Sequence, residues 1–120
     1  MTKDILFLLP AGFEDNGRRE YCSECAEIWG VLNYYPEIQG TLDIRYQPIA
    51  KPRAELVEML GDENQNCPTL VLSPDSEAGE NVMIKSNNGH RFLDNARDIG
   101  KYFANRHGSA WPRGDSLRLT

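Results

Sequence analysis

The chain has 120 residues, 40% of them hydrophobic and 26% charged, with a formal net charge of −5. That length predicts one domain with a sizeable core, and an acidic balance without any basic run argues against a nucleic-acid-binding surface. No stretch is long enough to span a membrane, and three cysteines, an odd number, argue against a structural disulfide framework and fit a cytoplasmic protein.

The first apolar run, Ile5–Leu9, is short, continuous and bounded by Pro10 and Gly12, which predicts a strand buried on both faces. Asp4 before it and the charges soon after it do not fit a signal peptide. Pro10 to Glu20 reads as a loop with two glycines, Asn16 and mixed charges. It exceeds the ~2–6 residues usual between a strand and a helix, so it is either a recognition element or a solvated insertion.

A helix is predicted from near Cys22 to about Asn33, ended by Pro36, with Cys25, Ile28, Trp29 and Leu32 as its buried stripe. Leu42–Tyr46 alternates as a half-buried strand does. Pro52 opens a second helix, with Leu56, Val57, Met59 and Leu60 as its apolar face and Gly61 as its stop. Thr69–Leu72 and Asn81–Lys85 read as an antiparallel hairpin through a turn at Ser76–Glu80. Asn87-Asn88-Gly89 is a further strong turn. Asp94 caps a final helix that buries Ala96, Ile99, Tyr102 and Phe103 and ends near His107-Gly108. Residues 1–108 form the expected domain, and 109–120 a C-terminal tail anchored by Trp111.

Tyr21-Cys22-Ser23-Glu24-Cys25 opens the first helix. Residues three apart share a helical face, with Cβ atoms roughly 5–6 Å apart. A disulfide needs Cα atoms about 4.4–6.8 Å apart, so small adjustments close one. A helix N-terminus favours thiolate over thiol. Cys25 belongs to the apolar stripe, whereas Cys22 lies one turn earlier, beside solvent. Cys22 is therefore the candidate attacking thiol and Cys25 the candidate resolving thiol. Glu24 opposes this by setting an acid near both. Two cysteines at this spacing also suit half a zinc site or two packed thiols without chemistry.

The order of elements, the CxxC after the first strand with Tyr21 before it, and the strand start Cys67-Pro68-Thr69-Leu70 together resemble the thioredoxin/glutaredoxin superfamily over about residues 3–106. More narrowly, Tyr-Cys-x-x-Cys-Ala, the Glu63-Asn64-Gln65 connector and the His107-Gly108 ending resemble an uncharacterised family of small bacterial thioredoxin-like proteins. The resemblance implies an α/β, thioredoxin-like fold: a four-stranded mixed sheet flanked by three helices, with a cis bond between Cys67 and Pro68. It implies a thiol–disulfide oxidoreductase with Cys22 and Cys25 as the catalytic pair. Tyr21, Cys67, Pro68 and Thr69 would shape the substrate site, a protein or small-molecule thiol or disulfide would be the partner, and no cofactor is required. Two departures stand out: Ser23-Glu24 between the cysteines, and the long preceding loop. The final helix resembles the glutathione-binding helix of glutathione transferases, but the gripping serine would fall near Asn95 or Ala96, and Ala96 cannot make that contact.

Cys67 admits three readings: a packed apolar residue, a redox partner, or, with Cys22 and Cys25, a ligand for zinc or an iron–sulfur centre. A tetrahedral zinc needs a fourth ligand, and His90 and His107 read as solvated surface residues. A non-catalytic interaction module on the same scaffold is the remaining alternative.

Overall fold

Strand β1 (Asp4–Leu8) carries Leu6, Phe7 and Leu8 with no exposed surface. Successive side chains of a strand point to opposite faces, so burial of all three means that the sheet is covered on both. After β1 come a hairpin of β2 (Phe13–Asp15) and β3 (Arg18–Glu20), helices α1 (Ser23–Tyr34) and α2 (Pro36–Gln39), strand β4 (Leu42–Tyr46) and helix α3 (Ala54–Leu60). Strands β5 (Thr69–Leu72), β6 (Lys85–Asn87) and β7 (His90–Leu93) and helix α4 (Ala96–His107) follow. The structure, a computed structural model, describes residues 2–114.

Five strands form one mixed sheet in the order β4-β1-β5-β7-β6. β1 runs parallel to β4 and antiparallel to β5, and β7 runs antiparallel to both β5 and β6. A parallel pair needs a crossover, which α1 and α2 provide. Helices α1 and α4 pack on each other, and α4 lies on β5. Helix α3 buries Leu56 and Leu60 completely, and its Met59 shares a surface hollow with Ile5 and Val71, on the Phe7 face of the sheet. Among the described residues, no helix is long and apolar enough to cross a membrane.

The fold is α/β with a mixed sheet, as expected, but the described residues form five sheet strands rather than four and four helices rather than three. The segment read as a loop, 10–20, contains the β2–β3 hairpin instead. Its turn is Asn16-Gly17, with φ of 53° and 72°, and positive φ at both central positions matches the twist of the flanking strands. Glu14 faces Arg19 and Asp15 faces Arg18 across the ladder, so opposite charges take the place of an apolar face.

The expected pairing of Thr69–Leu72 with Asn81–Lys85 does not form, because β5 takes β7 as its neighbour. Residues 81–84 instead cross the surface, with Met83 68% exposed and its N–H donating to Asp98 Oδ1 at 3.2 Å. The turn at Asn88-Gly89, with φ of 50° and 78°, joins β6 to β7. Pro52 does not open α3. The helix starts at Ala54, because the buried Arg53 guanidinium donates to the carbonyls of Pro48, Ile49 and Gln65 and holds its own backbone extended. Pro36 opens the short α2 rather than merely ending α1. The cap of α4 is Asn95, one residue beyond the expected Asp94, with Oδ1 accepting the Asp98 N–H at 2.8 Å.

The tail folds back on the helices after Gly108, whose φ of 77° turns the chain. Ala110 N–H donates to the Tyr35 hydroxyl at 3.2 Å, and Arg97 donates to the Arg113 carbonyl at 2.6 Å. Gly100 gives Pro112 its berth, since a Cβ there would lie 3.1 Å from Pro112 Cγ. Trp111 stays 47% exposed, so Pro112 and the backbone share the anchoring expected of it. The remainder of the 109–120 tail lies outside the described residues.

Candidate functional site

The C-terminal end of β1 meets the first turn of α1. Cys22 is the N-cap residue of α1, in extended conformation, with its Sγ accepting the N–H of Cys25 at 3.1 Å. The first four N–H groups of a helix lack helical partners, so a sulfur at this position satisfies one of them. Cys22 is half-buried, and its thiol points at the Cys67 carbonyl, 3.8 Å away, at the start of β5. The bond between Cys67 and Pro68 is cis, as expected.

Cys25 lies beneath, 3% exposed, in the row with Ile28 and Leu32. Its Sγ accepts the N–H of Leu9 at 3.5 Å, the residue that follows β1. The accessibility order expected of the two thiols is therefore present. Burial pushes the Cys25 thiol well above its ordinary range, the hydrogen bond with Cys22 adds to this, and the Leu9 N–H pulls back. Burial also pushes Cys67 up to about 11, against the opposing charge and hydrogen bond of Arg53. All three cysteines are free, and the proximity of Cys22 contributes to the rise at both buried thiols.

Glu24 does not crowd the thiols with an idle charge. Its Oε1 accepts the backbone N–H of Ala96 at 2.9 Å, at the N-terminus of α4. The acid between the cysteines is thus a bridge from α1 to α4, placed where a negative group is favourable.

Of the other expected site residues, Tyr21 is 66% exposed and stands next to Cys22 at the foot of the β2–β3 hairpin. Thr69 is only 1% exposed, and its hydroxyl donates to the Asn66 carbonyl at 2.7 Å, so its side chain serves the connector rather than an open surface. The histidines lie elsewhere. His90 starts β7, at the end of the sheet away from Cys67. His107 is only partly solvated: its ring centroid lies 6.4 Å from that of Tyr102 and 6.1 Å from that of Phe103, and burial lowers its pKa. Among the described residues, no group of three or more Cys, His, Asp or Glu is placed to hold a metal ion.

One feature escaped the sequence. A cleft of about 310 Å³ opens beside the thiols on the β4 side of β1, lined by Leu9, Pro10, Tyr21, Cys22, Cys25 and Trp29, with Tyr46 closing it. Trp29 reads as core from its helical spacing, yet it is only half-buried because it walls this cleft. Tyr46, the last residue of β4, gave no signal beyond its place in an alternating strand.

No curated protein and no solved structure matches this chain. A family model described as "Protein of unknown function (DUF3088)" matches residues 3–111, nearly the whole of the described chain, and on that match the chain belongs to the DUF3088 family.

Proposed function

We propose that this chain is a thiol–disulfide oxidoreductase on a thioredoxin-like scaffold, with Cys22 as nucleophile and Cys25 as resolving thiol. The observation that carries the reading is the pairing of a half-buried thiol at a helix N-cap with a buried thiol one turn below, linked by the Cys25 N–H on Cys22 Sγ at 3.1 Å. The β1–α1–β4 crossover and the Cys67-Pro68 link beside Cys22 support the scaffold.

The chemistry balances without a cofactor. Cys22, as thiolate, attacks one sulfur of a substrate disulfide. The substrate S–S bond breaks, a Cys22–substrate disulfide forms, and the leaving thiolate takes up a proton. Cys25 then loses its proton and attacks Cys22 Sγ, which releases the second substrate thiol and leaves a Cys22–Cys25 disulfide. The substrate gains two electrons and the cysteine pair loses two. The reverse sequence oxidises a dithiol.

Glutathione is not part of this reading. The Ala96 N–H already has Glu24 as its partner, and the Asn95 side chain is engaged with Asp98. The substrate in this reading is a protein disulfide or a small-molecule disulfide other than that of glutathione, in a reducing cytoplasm.

The test is stoichiometric. The reduced protein is mixed with a model disulfide, and a Cys25→Ser variant is run beside it. The wild-type chain is expected to release two substrate thiols per chain, while Cys25→Ser stops at one and carries a mixed disulfide on Cys22, seen by intact mass. Absence of both products from well-folded protein would leave the non-catalytic interaction module as the better account.

A further inference from the structure

Strand β1 separates two unlike flanks of the thiol pair. On the β5 side, Cys22 Sγ faces a backbone carbonyl, that of Cys67, at 3.8 Å. On the β4 side lies the cleft between Tyr21 and Tyr46. We infer that this cleft receives a bulky, uncharged side chain attached next to the substrate's disulfide, so that the preferred substrate is a peptide disulfide with an aromatic neighbour. The inference rests on the oxidoreductase reading and specifies its substrate.

Both cysteines of the pair line the cleft. Whatever group is joined to a sulfur bonded to Cys22 therefore has the cleft within reach. None of the lining residues is charged. A carboxylate or ammonium placed there would lose water without gaining a partner, which is costly. The chain's net charge of −5 adds a long-range bias against acidic groups.

Size narrows the occupant further. Pockets for drug-sized ligands span about 300–1,000 Å³. A cleft of about 310 Å³ is at the bottom of that range and suits one large side chain. The walls are built to hold position. Tyr46 is the last residue of β4, Tyr21 directly follows β3, and Trp29 comes from α1. Tyr21 and Tyr46 remain 66% and 52% exposed, so two large rings stand ready to be covered by an incoming apolar group. Aromatic residues at such a rim are the commonest anchors of recognition.

The experiment uses three disulfide-linked peptides that differ only beside the cysteine, carrying Phe, Ser or Glu. Reduced full-length protein is expected to exchange with the Phe peptide about tenfold faster than with the Ser peptide, and with the Glu peptide slowest. Tyr46→Glu, at an exposed position, is expected to erase the preference for Phe. Equal rates on all three peptides overturn the inference while leaving the oxidoreductase reading intact. Exchange with none of them overturns that reading, and a binding measurement then decides the cleft by itself. For this, Cys22→Ser with Trp111→Phe leaves Trp29 as the reporting fluorophore, and the same peptides carry Ser in place of Cys. Saturable change with the Phe peptide and none with the Glu peptide sustains the cleft assignment, and no response to the Phe peptide overturns it.

Discussion

The two ends of β1 treat polar groups in opposite ways. At the first end, Asp4 is 7% exposed yet fully engaged: Oδ1 accepts the Ser73 N–H at 2.8 Å and the Ser76 hydroxyl at 2.7 Å, and Oδ2 accepts the Tyr102 hydroxyl. Arg91 closes the cluster by donating to the carbonyls of Ser73 and Ser76 at 2.8 Å each. At the other end, roughly 17 Å along the strand at about 3.3 Å per residue, the sulfurs of Cys22 and Cys25 each accept one backbone N–H, at 3.1 Å and 3.5 Å, and both residues line a cleft. A buried carboxyl group with every oxygen partnered is a fixture of the fold. A pair of weakly held sulfurs beside open space is free to change its bonding. Satisfaction of polar atoms therefore separates the structural end of the strand from the end proposed to react.

The largest test of this contrast is to exchange the expected phenotypes. Cys22→Ser should reduce disulfide exchange to the background rate while the unfolding free energy changes by no more than about 0.5 kcal/mol, because Ser keeps an N-cap acceptor for the Cys25 N–H. Asp4→Ala should do the reverse. It removes the acceptor of the Ser73 N–H and of the Tyr102 hydroxyl, while Ser76 keeps Ser73 Oγ at 3.0 Å, and each buried donor left without a partner costs about 1–3 kcal/mol. Chemical denaturation should show a loss of about one to two such units, with exchange persisting in the folded fraction. A stable Asp4→Ala protein would deny that the cluster is structural.

Alkaline titration sharpens the same comparison. Burial pushes Cys67 from 9.0 up to about 11, and burial with the Asp4 bond pushes Tyr102 from 10.0 up to about 12. A raised folded-state value means that the folded chain holds its proton more tightly than the unfolded chain. The associated stability is complete below the unfolded value and is lost as pH rises towards the folded one. The thiol end should therefore weaken first, between about pH 9 and 11, with Cys25 adding to the loss, and the Asp4 end later, between about pH 10 and 12. Cys67→Ser should shrink the earlier loss and Tyr102→Phe the later one, both read from unfolding free energy against pH.

The smallest expected effect is at Glu24. Glu24→Ala removes the acceptor of the Ala96 N–H and should cost about 1 kcal/mol, in line with other helix caps. Glu24→Gln keeps an oxygen there and should cost less. Thermal unfolding of the two variants distinguishes the bridge from a merely solvated acid, for which both would match the wild-type chain.

What the sequence made legible is what depends on near neighbours. The run Ile5–Leu9 announced a strand covered on both faces, and the spacing of Cys25, Ile28 and Leu32 announced which thiol is buried. Long-range partnership was not legible. His90–Leu93 carries no alternation to mark it, and its strand character comes from β5 on one side and β6 on the other. Val82, Met83 and Ile84 look like a strand by composition but have no place in the sheet once β7 has taken the edge of β5. The hairpin at Phe13–Glu20 was hidden for another reason: its strands are charged, and their stabilising pairs lie across the turn rather than along the chain. The Asn16-Gly17 dipeptide was the available signal for it. The cleft was illegible because Tyr46 and Trp29 meet there from elements separated by a crossover.

That hairpin also bears on how such a protein diversifies. It stands outside the main sheet with its own ladder, yet it delivers Tyr21 directly to the mouth of the cleft. The sulfurs, by contrast, are fixed by α1, β1 and the start of β5. On the proposed oxidoreductase reading, the hairpin contributes Tyr21 to substrate choice while other stretches place the cysteine pair, so grafting a different hairpin between Gly12 and Tyr21 is a route to altered substrate preference that leaves the cysteine pair in place.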